Sequence, residues 1–377
     1  MVRLLPVLFA AALAVLPASA PRALDANITP AFDDTPARGP AQARGVVVWS
    51  HGRSLDSEDM MSRSPLYLRA LRDAGWDVVR FERRRVGDTL PASSQALAAR
   101  AEALKSQGYR RVVLAGQSFG AFLSLMAAGR SEAVDAVVAT APAAFGNHSE
   151  AFSTWRMNAT QLYNVLREVR RAKVALFFFQ GDDFDPGGRA DRSGEILAAE
   201  GVEALIIDQP AELPGHNAGA TGLFARRYGS CILRFAEEGR TPSPADCEQP
   251  WGAKPAAEML SPAASTPGIS LAAVRTRSPL ERRWYGYYLN GREVMLSIDA
   301  VDGERVRATY TLGAGVDPDQ KPETNQRIGR LDGEELVFDE PGRNVLRFRP
   351  RHDGRLAGTW TDARDGGRLQ VVLRPIE

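Results

Sequence analysis

The chain has little that would tie it to nucleic acid, metal or membrane. Its 47 basic and 46 acidic residues nearly cancel, leaving a formal charge of +1 over 377 positions. So balanced a surface offers no broad positive field for a phosphate backbone, and no nucleic-acid partner is expected. Cysteine is scarce, with two in the chain. Two are too few for a disulfide scaffold and lack the paired spacing of a zinc site, so no metal site is expected. After the first twenty residues no apolar run approaches the ~20 positions that a membrane-spanning helix needs. There is no nucleotide-binding glycine loop and no internal repeat of solenoid length. Apolar and charged fractions of 44% and 25% exclude wholesale disorder, collagen and coiled coil. At ~150 residues per domain the length predicts two domains, or three.

The one long apolar run stands at the start. Arg3 precedes an apolar stretch from Leu4 to Leu16, and the small residues Ala18, Ser19 and Ala20 follow. This order is that of a secretory signal peptide over residues 1–20, and it implies a secreted or periplasmic protein without stable membrane insertion after cleavage. In an oxidising compartment Cys231 and Cys247 are expected to form a disulfide. A loop of that length contributes about 3 kcal/mol in the chain-entropy picture. The sequons at Asn27, Asn147 and Asn158 would matter only in a host that glycosylates.

From residue 21 to 247 apolar runs alternate with helical patterns. Val46–Ser50, Trp76–Phe81, Arg111–Ala115, Val134–Ala139, Val174–Phe179 and Val202–Ile207 read as buried strands. Ser64–Asp73, Ser93–Gln107, Ala121–Ala128 and Phe152–Arg171 read as helices. Helix-separated buried strands predict an α/β fold, a mostly parallel sheet with helices on both faces. Residues 248–279 are rich in Pro, Ala and Ser and read as a linker. Residues 280–377 change to short alternating segments punctuated by Asn290-Gly291, Asp302-Gly303, Asp332-Gly333, Asp353-Gly354 and Gly366-Gly367. Such pairs supply the positive φ of tight hairpins, so this part is expected to be an all-β antiparallel barrel or sandwich of about eight strands.

The sharpest chemical signal is Gly116-Gln117-Ser118-Phe119-Gly120. A strand precedes it and a small-residue helix follows. This context presents a serine hydroxyl on a tight turn at the sheet edge. A serine hydroxyl is a weak nucleophile and needs a neighbouring imidazole to accept its proton. Of the four histidines, His216 follows the last strand of the series. It therefore belongs at the carboxyl edge of the sheet, beside Ser118. A carboxylate should orient the imidazole. Acids crowd the end of only one strand between the serine and the histidine, in Asp182-Asp183-Phe184-Asp185-Pro186. Asp185, stiffened by the following proline, is the expected acid, with Asp183 as the alternative. The remaining aspartate is expected to cap a helix or bond the loop. The oxyanion donors should be the main-chain N–H groups of Phe119 and of Arg53, the latter on the loop after the Val46 strand. His51 is expected to shape that loop.

With these motifs in order, residues 43–239 resemble the α/β-hydrolase superfamily, in the style of dienelactone-hydrolase-like enzymes and small esterases. The resemblance implies Ser118 as nucleophile, His216 as base, Asp185 as third member, and Phe119 and Arg53 as oxyanion donors, with no cofactor. The acid loop departs from that pattern by one extra residue, which keeps Asp183 open. The segment between Ala139 and Val174, where a lid is often inserted, has room for one helix. Phe145, Phe152, Trp155 and Met157 on it could wall a pocket or pack onto the sheet. Trp284 to Tyr288 and Gly358-Thr359-Trp360 faintly resemble small lipocalin-like barrels, and a barrel of eight strands can hold one small ligand. The sequence therefore predicts an exported serine esterase working through an acyl-enzyme. The alternatives are an acyltransferase or amidase with the same residues, or a non-catalytic ligand- or cell-wall-binding protein on a hydrolase scaffold.

Overall fold

The computed structural model describes residues 28–53, 63–83, 88–145, 151–185, 187–237, 239–248, 250–252, 278–313, 315–316 and 320–376. The leader, Asn27, Asn147 and most of the linker lie outside these residues. The first sheet contains β1 (Ile28–Pro30), β2 (Val46–Ser50), β3 (Asp77–Phe81), β4 (Val112–Gln117), β5 (Ala136–Thr140), β6 (Lys173–Phe178) and β7 (Ala204–Asp208). Their spatial order is β1-β3-β2-β4-β5-β6-β7. All neighbours are parallel except β1, a short strand that pairs antiparallel with β3 and that the sequence pattern did not announce.

Alternation along each strand divides the core in two. Val46, Val48, Val112, Leu114, Leu176 and Phe178 face one layer, where they meet α2 (Leu90–Ser106), α3 (Phe119–Arg130), α4 (Ala151–Leu166) and α5 (Arg189–Ala199). Val47, Trp49, Val113, Ala115, Phe177 and Phe179 face the other, where they meet α1 (Leu68–Asp73) and α6 (Gly222–Ala236). With helices on both sides the strands are buried on both faces, so they read as continuous apolar runs. The arrangement is the expected α/β architecture. On the α6 side Phe224 meets the rings of Tyr67, Phe177, Phe179 and Tyr228 at centroid distances of 5.0 to 5.8 Å. Cys231 of α6 is bonded to Cys247 on a short 3-10 turn, as expected.

The second sheet is a closed antiparallel barrel of β8 (Arg283–Tyr288), β9 (Glu293–Asp302), β10 (Arg305–Leu312), β11 (Glu323–Asp332), β12 (Glu335–Glu340), β13 (Asn344–Pro350), β14 (Leu356–Asp362) and β15 (Arg368–Ile376). The hairpin glycines Gly303, Gly333 and Gly354 take φ of 59°, 61° and 75°, the left-handed values that the sequence pairs called for. Val294, Leu296, Val306, Ala308, Leu336, Phe338, Leu346 and Phe348 fill its interior.

The β8–β9 hairpin fastens the barrel to α6. Leu223 N–H donates to Leu289 O at 3.0 Å, and Arg226 Nε donates to Gly291 O at 3.0 Å. A Cβ on Gly222 would stand 1.8 Å from Asn290 O, so the close approach requires a glycine there. Among the described residues no helix is long and apolar enough to cross a membrane.

Candidate active site

β4 ends at Gln117, and the chain turns sharply into α3 through Ser118, whose φ is 54° and ψ −118°. A non-glycine residue held in that region is strained, and such strain persists only where surrounding contacts enforce it. Here the turn is enforced by packing on both sides. A Cβ on Gly116 would fall 2.2 Å from Gly120 O, and one on Gly120 would fall 2.1 Å from Ser50 O. The flanking glycines therefore let α3, the turn and the end of β2 touch through backbone. The amide of Phe119 opens α3, so no intrahelical carbonyl is available to it.

Ser118 is 8% exposed, and its Oγ lies 2.8 Å from His216 Nε2. His216 Nδ1 lies 2.9 Å from Asp182 Oδ1. The carboxylate is fully buried, while the imidazole keeps 14% of its side-chain surface. Phe184 covers one side of that imidazole with ring centroids 4.6 Å apart. Gly215 N–H donates to Gln180 O at 2.8 Å and so pins the histidine loop to the acid loop.

The acid at His216 is thus neither Asp185 nor Asp183. Asp185 is buried but faces α5, where its Oδ2 stands 2.9 Å from Arg189 Nε, and its Oδ1 accepts from Gly187 N–H at 2.9 Å. The reason is local. Asp185 N–H donates to Asp182 O at 2.9 Å, closing a tight turn immediately after the strand. That reversal sends the two carboxylates apart, and Arg189, one helical turn beyond Asp185, takes the second one. Asp183 is exposed at the tip of the turn. Asp182 does hold the loop as well, since its Oδ1 accepts from Phe184 N–H at 2.9 Å. The clue in the sequence was position: Asp182 is the second residue past Gln180, at the mouth of the buried strand, whereas the proline after Asp185 drew the choice outward.

Arg189 also donates to Pro142 O at 2.7 Å, and the next carbonyl, of Ala143, accepts from Ser118 Oγ at 3.3 Å. Asn158 of α4 fixes the same loop. Its Oδ1 accepts from Ala144 and Phe145 N–H at 2.7 and 3.1 Å, and its Nδ2 donates to Phe145 O at 3.1 Å. Fully buried in these bonds, the Asn158 sequon has no room for a glycan. Phe145 packs edge-on against Phe122 in the core, while Met157 is 49% exposed.

The loop after β2 is held by a residue that the sequence reading passed over. Arg83 is buried and donates from Nη1 to His51 O at 2.6 Å and from Nη2 to Gly52 O at 2.8 Å. Its Nε meets Asp88 Oδ2 at 3.0 Å, and Ser93 Oγ donates to Asp88 Oδ1 at 2.6 Å. The guanidinium also stacks 5.3 Å from the Phe119 ring centroid. His51 is buried beside this cation, its Nδ1 2.7 Å from Gly52 O. Burial, and then the positive charge of Arg83, push its pKa down to about 4, so it is neutral near pH 7. His51 therefore shapes the loop, in keeping with its expected structural place. Arg53, next along, donates to Asp88 O and lies 5.4 Å from the Phe119 ring centroid.

The sequence matches the Alpha/beta hydrolase family over residues 46–338. The chain belongs to that family. Its match covers the parallel sheet with its helices and runs on into the barrel strands. A search of the curated proteins gives no match. Among solved structures, the esterase Pf2001 of Pyrococcus furiosus aligns at 16% identity and a TM-score of 0.40, covering 51% of this chain and 81% of that one. An S-formylglutathione hydrolase of Agrobacterium tumefaciens aligns at 15% identity and 0.39, covering 53% and 86%. A puromycin-hydrolyzing peptidase of Mycobacterium tuberculosis aligns at 16% and 0.41, covering 58% and 38%.

As an α/β-hydrolase this chain brings its serine, acid and histidine from the ends of β4, β6 and the segment after β7, all at the carboxyl edge of one sheet. The electrostatic setting is asymmetric. Asp182 meets the imidazole directly, whereas Asp185 is matched by the guanidinium of Arg189. Only the first arrangement leaves a carboxylate free to stabilise an imidazolium as it forms.

Proposed function

We propose that this protein is an exported serine hydrolase that cleaves carboxylic esters through an acyl-enzyme. The reading rests on one observation: the continuous contact from Ser118 Oγ to His216 Nε2 at 2.8 Å and from His216 Nδ1 to Asp182 Oδ1 at 2.9 Å. In this reading His216 Nε2 accepts the hydroxyl proton as Ser118 Oγ attacks the ester carbonyl carbon. Asp182 holds the Nδ1–H tautomer and offsets the charge of the imidazolium. The N–H groups of Phe119 and Arg53 stabilise the tetrahedral oxyanion. Collapse breaks the bond to the alkoxy oxygen, which leaves as alcohol with the proton from His216. Water, deprotonated by His216, then attacks the acyl-Ser118 ester, and the carboxylic acid departs as Ser118 regains its proton.

Among the described residues α4 is the one helix between β5 and β6, which favours small or exposed esters over long acyl chains. Export is supported by the leader pattern at residues 1–20 and by the Cys231–Cys247 bond. The test is covalent labelling with a fluorophosphonate, together with p-nitrophenyl acetate turnover, on wild type and Ser118→Ala. The reading expects both signals in the wild type and neither in the variant, with turnover falling about 10⁶-fold. Labelling that survives in Ser118→Ala would remove that serine from the mechanism.

A further inference from the structure

The segment that carries His216 runs from the end of β7 to the start of α6 as a series of overlapping turns. Ala218 N–H donates to Gly215 O, Ala220 N–H to Asn217 O and Thr221 N–H to Ala218 O, at 3.1, 3.0 and 3.1 Å. These bonds stiffen residues 215–221 into one coil, but they do not fix where that coil stands relative to Ser118. The bond from Gly215 N–H to Gln180 O and the contacts of His216 with Asp182 and Phe184 tie it to the loop after β6. The nucleophile belongs to β4, on the far side of β5.

A second anchor comes from β4 itself. Side chains alternate along that strand, and Val113 and Ala115 face the α6 layer. Gln117 is therefore directed to the same side, where the chain after His216 descends into α6. Its Nε2 donates to Asn217 Oδ1 at 2.7 Å and to His216 O at 3.3 Å. The hydrogens of one carboxamide thus hold two successive residues of the coil. Thr140 of β5 braces the same region. Its Oγ1 donates to Gly116 O at 3.2 Å, and its carbonyl accepts from Ser118 N–H at 3.0 Å. Gly219 of the coil lies so close to it that a Cβ there would stand 2.8 Å from Thr140 Cβ.

We propose that Gln117 is a positioning residue for the base: it sets His216 against Ser118 by tying the histidine segment to the strand that ends in the nucleophile. This role rests on the serine-hydrolase reading above and deepens it. Asp182 orients the imidazole, but it stands on the same loop as the Gly215 anchor. A shift of that loop would carry acid and base together away from the hydroxyl and open the 2.8 Å contact between Ser118 Oγ and His216 Nε2. A bond from the β4 side opposes such a shift, and Gln117 supplies it. Its loss should act on the chemical step, where the reacting groups must be held closely in place, and leave substrate binding unchanged.

The test uses the full-length protein as wild type, Gln117→Met and Gln117→Glu. The first variant keeps the length of the side chain without its donors, and the second keeps its shape with acceptors alone. Either variant that folds, as judged by circular dichroism, decides the outcome. Both are expected to lose about tenfold in kcat for p-nitrophenyl acetate at unchanged KM. In Gln117→Glu the acid limb of the kcat/KM profile should also move to higher pH, because a carboxylate beside the histidine segment favours the imidazolium. Hydrogen exchange in peptides covering residues 209–223 should quicken about fivefold in both variants, while β13 and β14 keep wild-type rates, a readout that needs no turnover. A wild type that neither turns over the ester nor reacts with a fluorophosphonate would overturn the serine-hydrolase reading and this role with it. With an active wild type, three results would overturn the role of Gln117 alone. These are kcat within about twofold of wild type, a raised KM at unchanged kcat, or exchange in residues 209–223 that is unchanged or quickens alike throughout the chain.

Discussion

The strands of the parallel sheet and those of the barrel finish in different ways. β4 and β6 stay paired to their last residues and run out into loops whose tips converge, so Ser118, Asp182 and His216 meet beyond an unbroken sheet. β11 and β12 instead part company before they end, and polar side chains fill the gap. In the first case the sheet is rigid and the loops carry the chemistry, with backbone strain at Ser118 held by packing. In the second the strands themselves supply the polar groups. An edge of the first kind should be sensitive to small backbone shifts, and one of the second to single side chains.

Four substitutions would break or sharpen that contrast. The largest effect on stability is expected from Asp185→Asn, which leaves the buried Arg189 guanidinium without its charge partner. Urea unfolding should show a loss of about 3–5 kcal/mol. A loss below about 1 kcal/mol would mean that the pair does not hold the loop. Next comes Gly120→Ala. Its methyl group would drive into the carbonyl of Ser50. Turnover of p-nitrophenyl acetate should fall about 100-fold, the cost of displacing reacting groups by about 1 Å. A smaller step is Arg83→Lys, which keeps the charge beside Asp88 but cannot reach the carbonyls of His51 and Gly52 together. We expect kcat to drop about tenfold with KM unchanged, the signature of an interaction made in the transition state. A raised KM with kcat unchanged would place Arg83 in substrate binding instead.

The most gradual effect is a pH slope. His51 titrates near 4 in the folded chain but near its ordinary value of 6.5 when unfolded. The unfolded chain therefore binds the proton first as pH falls. The stability from a neutral His51 is complete above about pH 6.5 and is lost progressively down to about pH 4, by at most about 1.4 kcal/mol per pH unit. Subtracting the pH–stability curve of His51→Asn from that of wild type should isolate this slope, and a flat difference would argue against a buried neutral imidazole.

Much of this was readable in the chain because each sheet leaves its own mark, continuous apolar runs in the parallel sheet and period-two alternation in the barrel. Runs such as Val46–Trp49 and Val112–Ala115 announce strands buried on both faces, and the Asx-Gly pairs announce the barrel hairpins. Ser118 and His216 were legible because a strand-to-turn context leads to each. The third member was not. Three aspartates within four residues are separated by a single turn, and the outcome depends on Arg189, which attracts Asp185 across a helix start that periodicity had not marked. Arg83 was hidden among its neighbours Arg84 and Arg85, since nothing local distinguishes an arginine that turns inward to bind carbonyl oxygens. The gap between β11 and β12 was equally invisible, because it arises from a loss of register between two strands rather than from any motif.

The division of labour between the two aspartates is open to one decisive measurement, the rate of fluorophosphonate labelling with the adduct located by peptide mapping. The account predicts an adduct on Ser118, a labelling rate about 10⁴-fold lower in Asp182→Asn, and a rate within about tenfold of wild type for folded Asp185→Asn. An adduct on another residue, or a greater loss in Asp185→Asn than in Asp182→Asn, would contradict it.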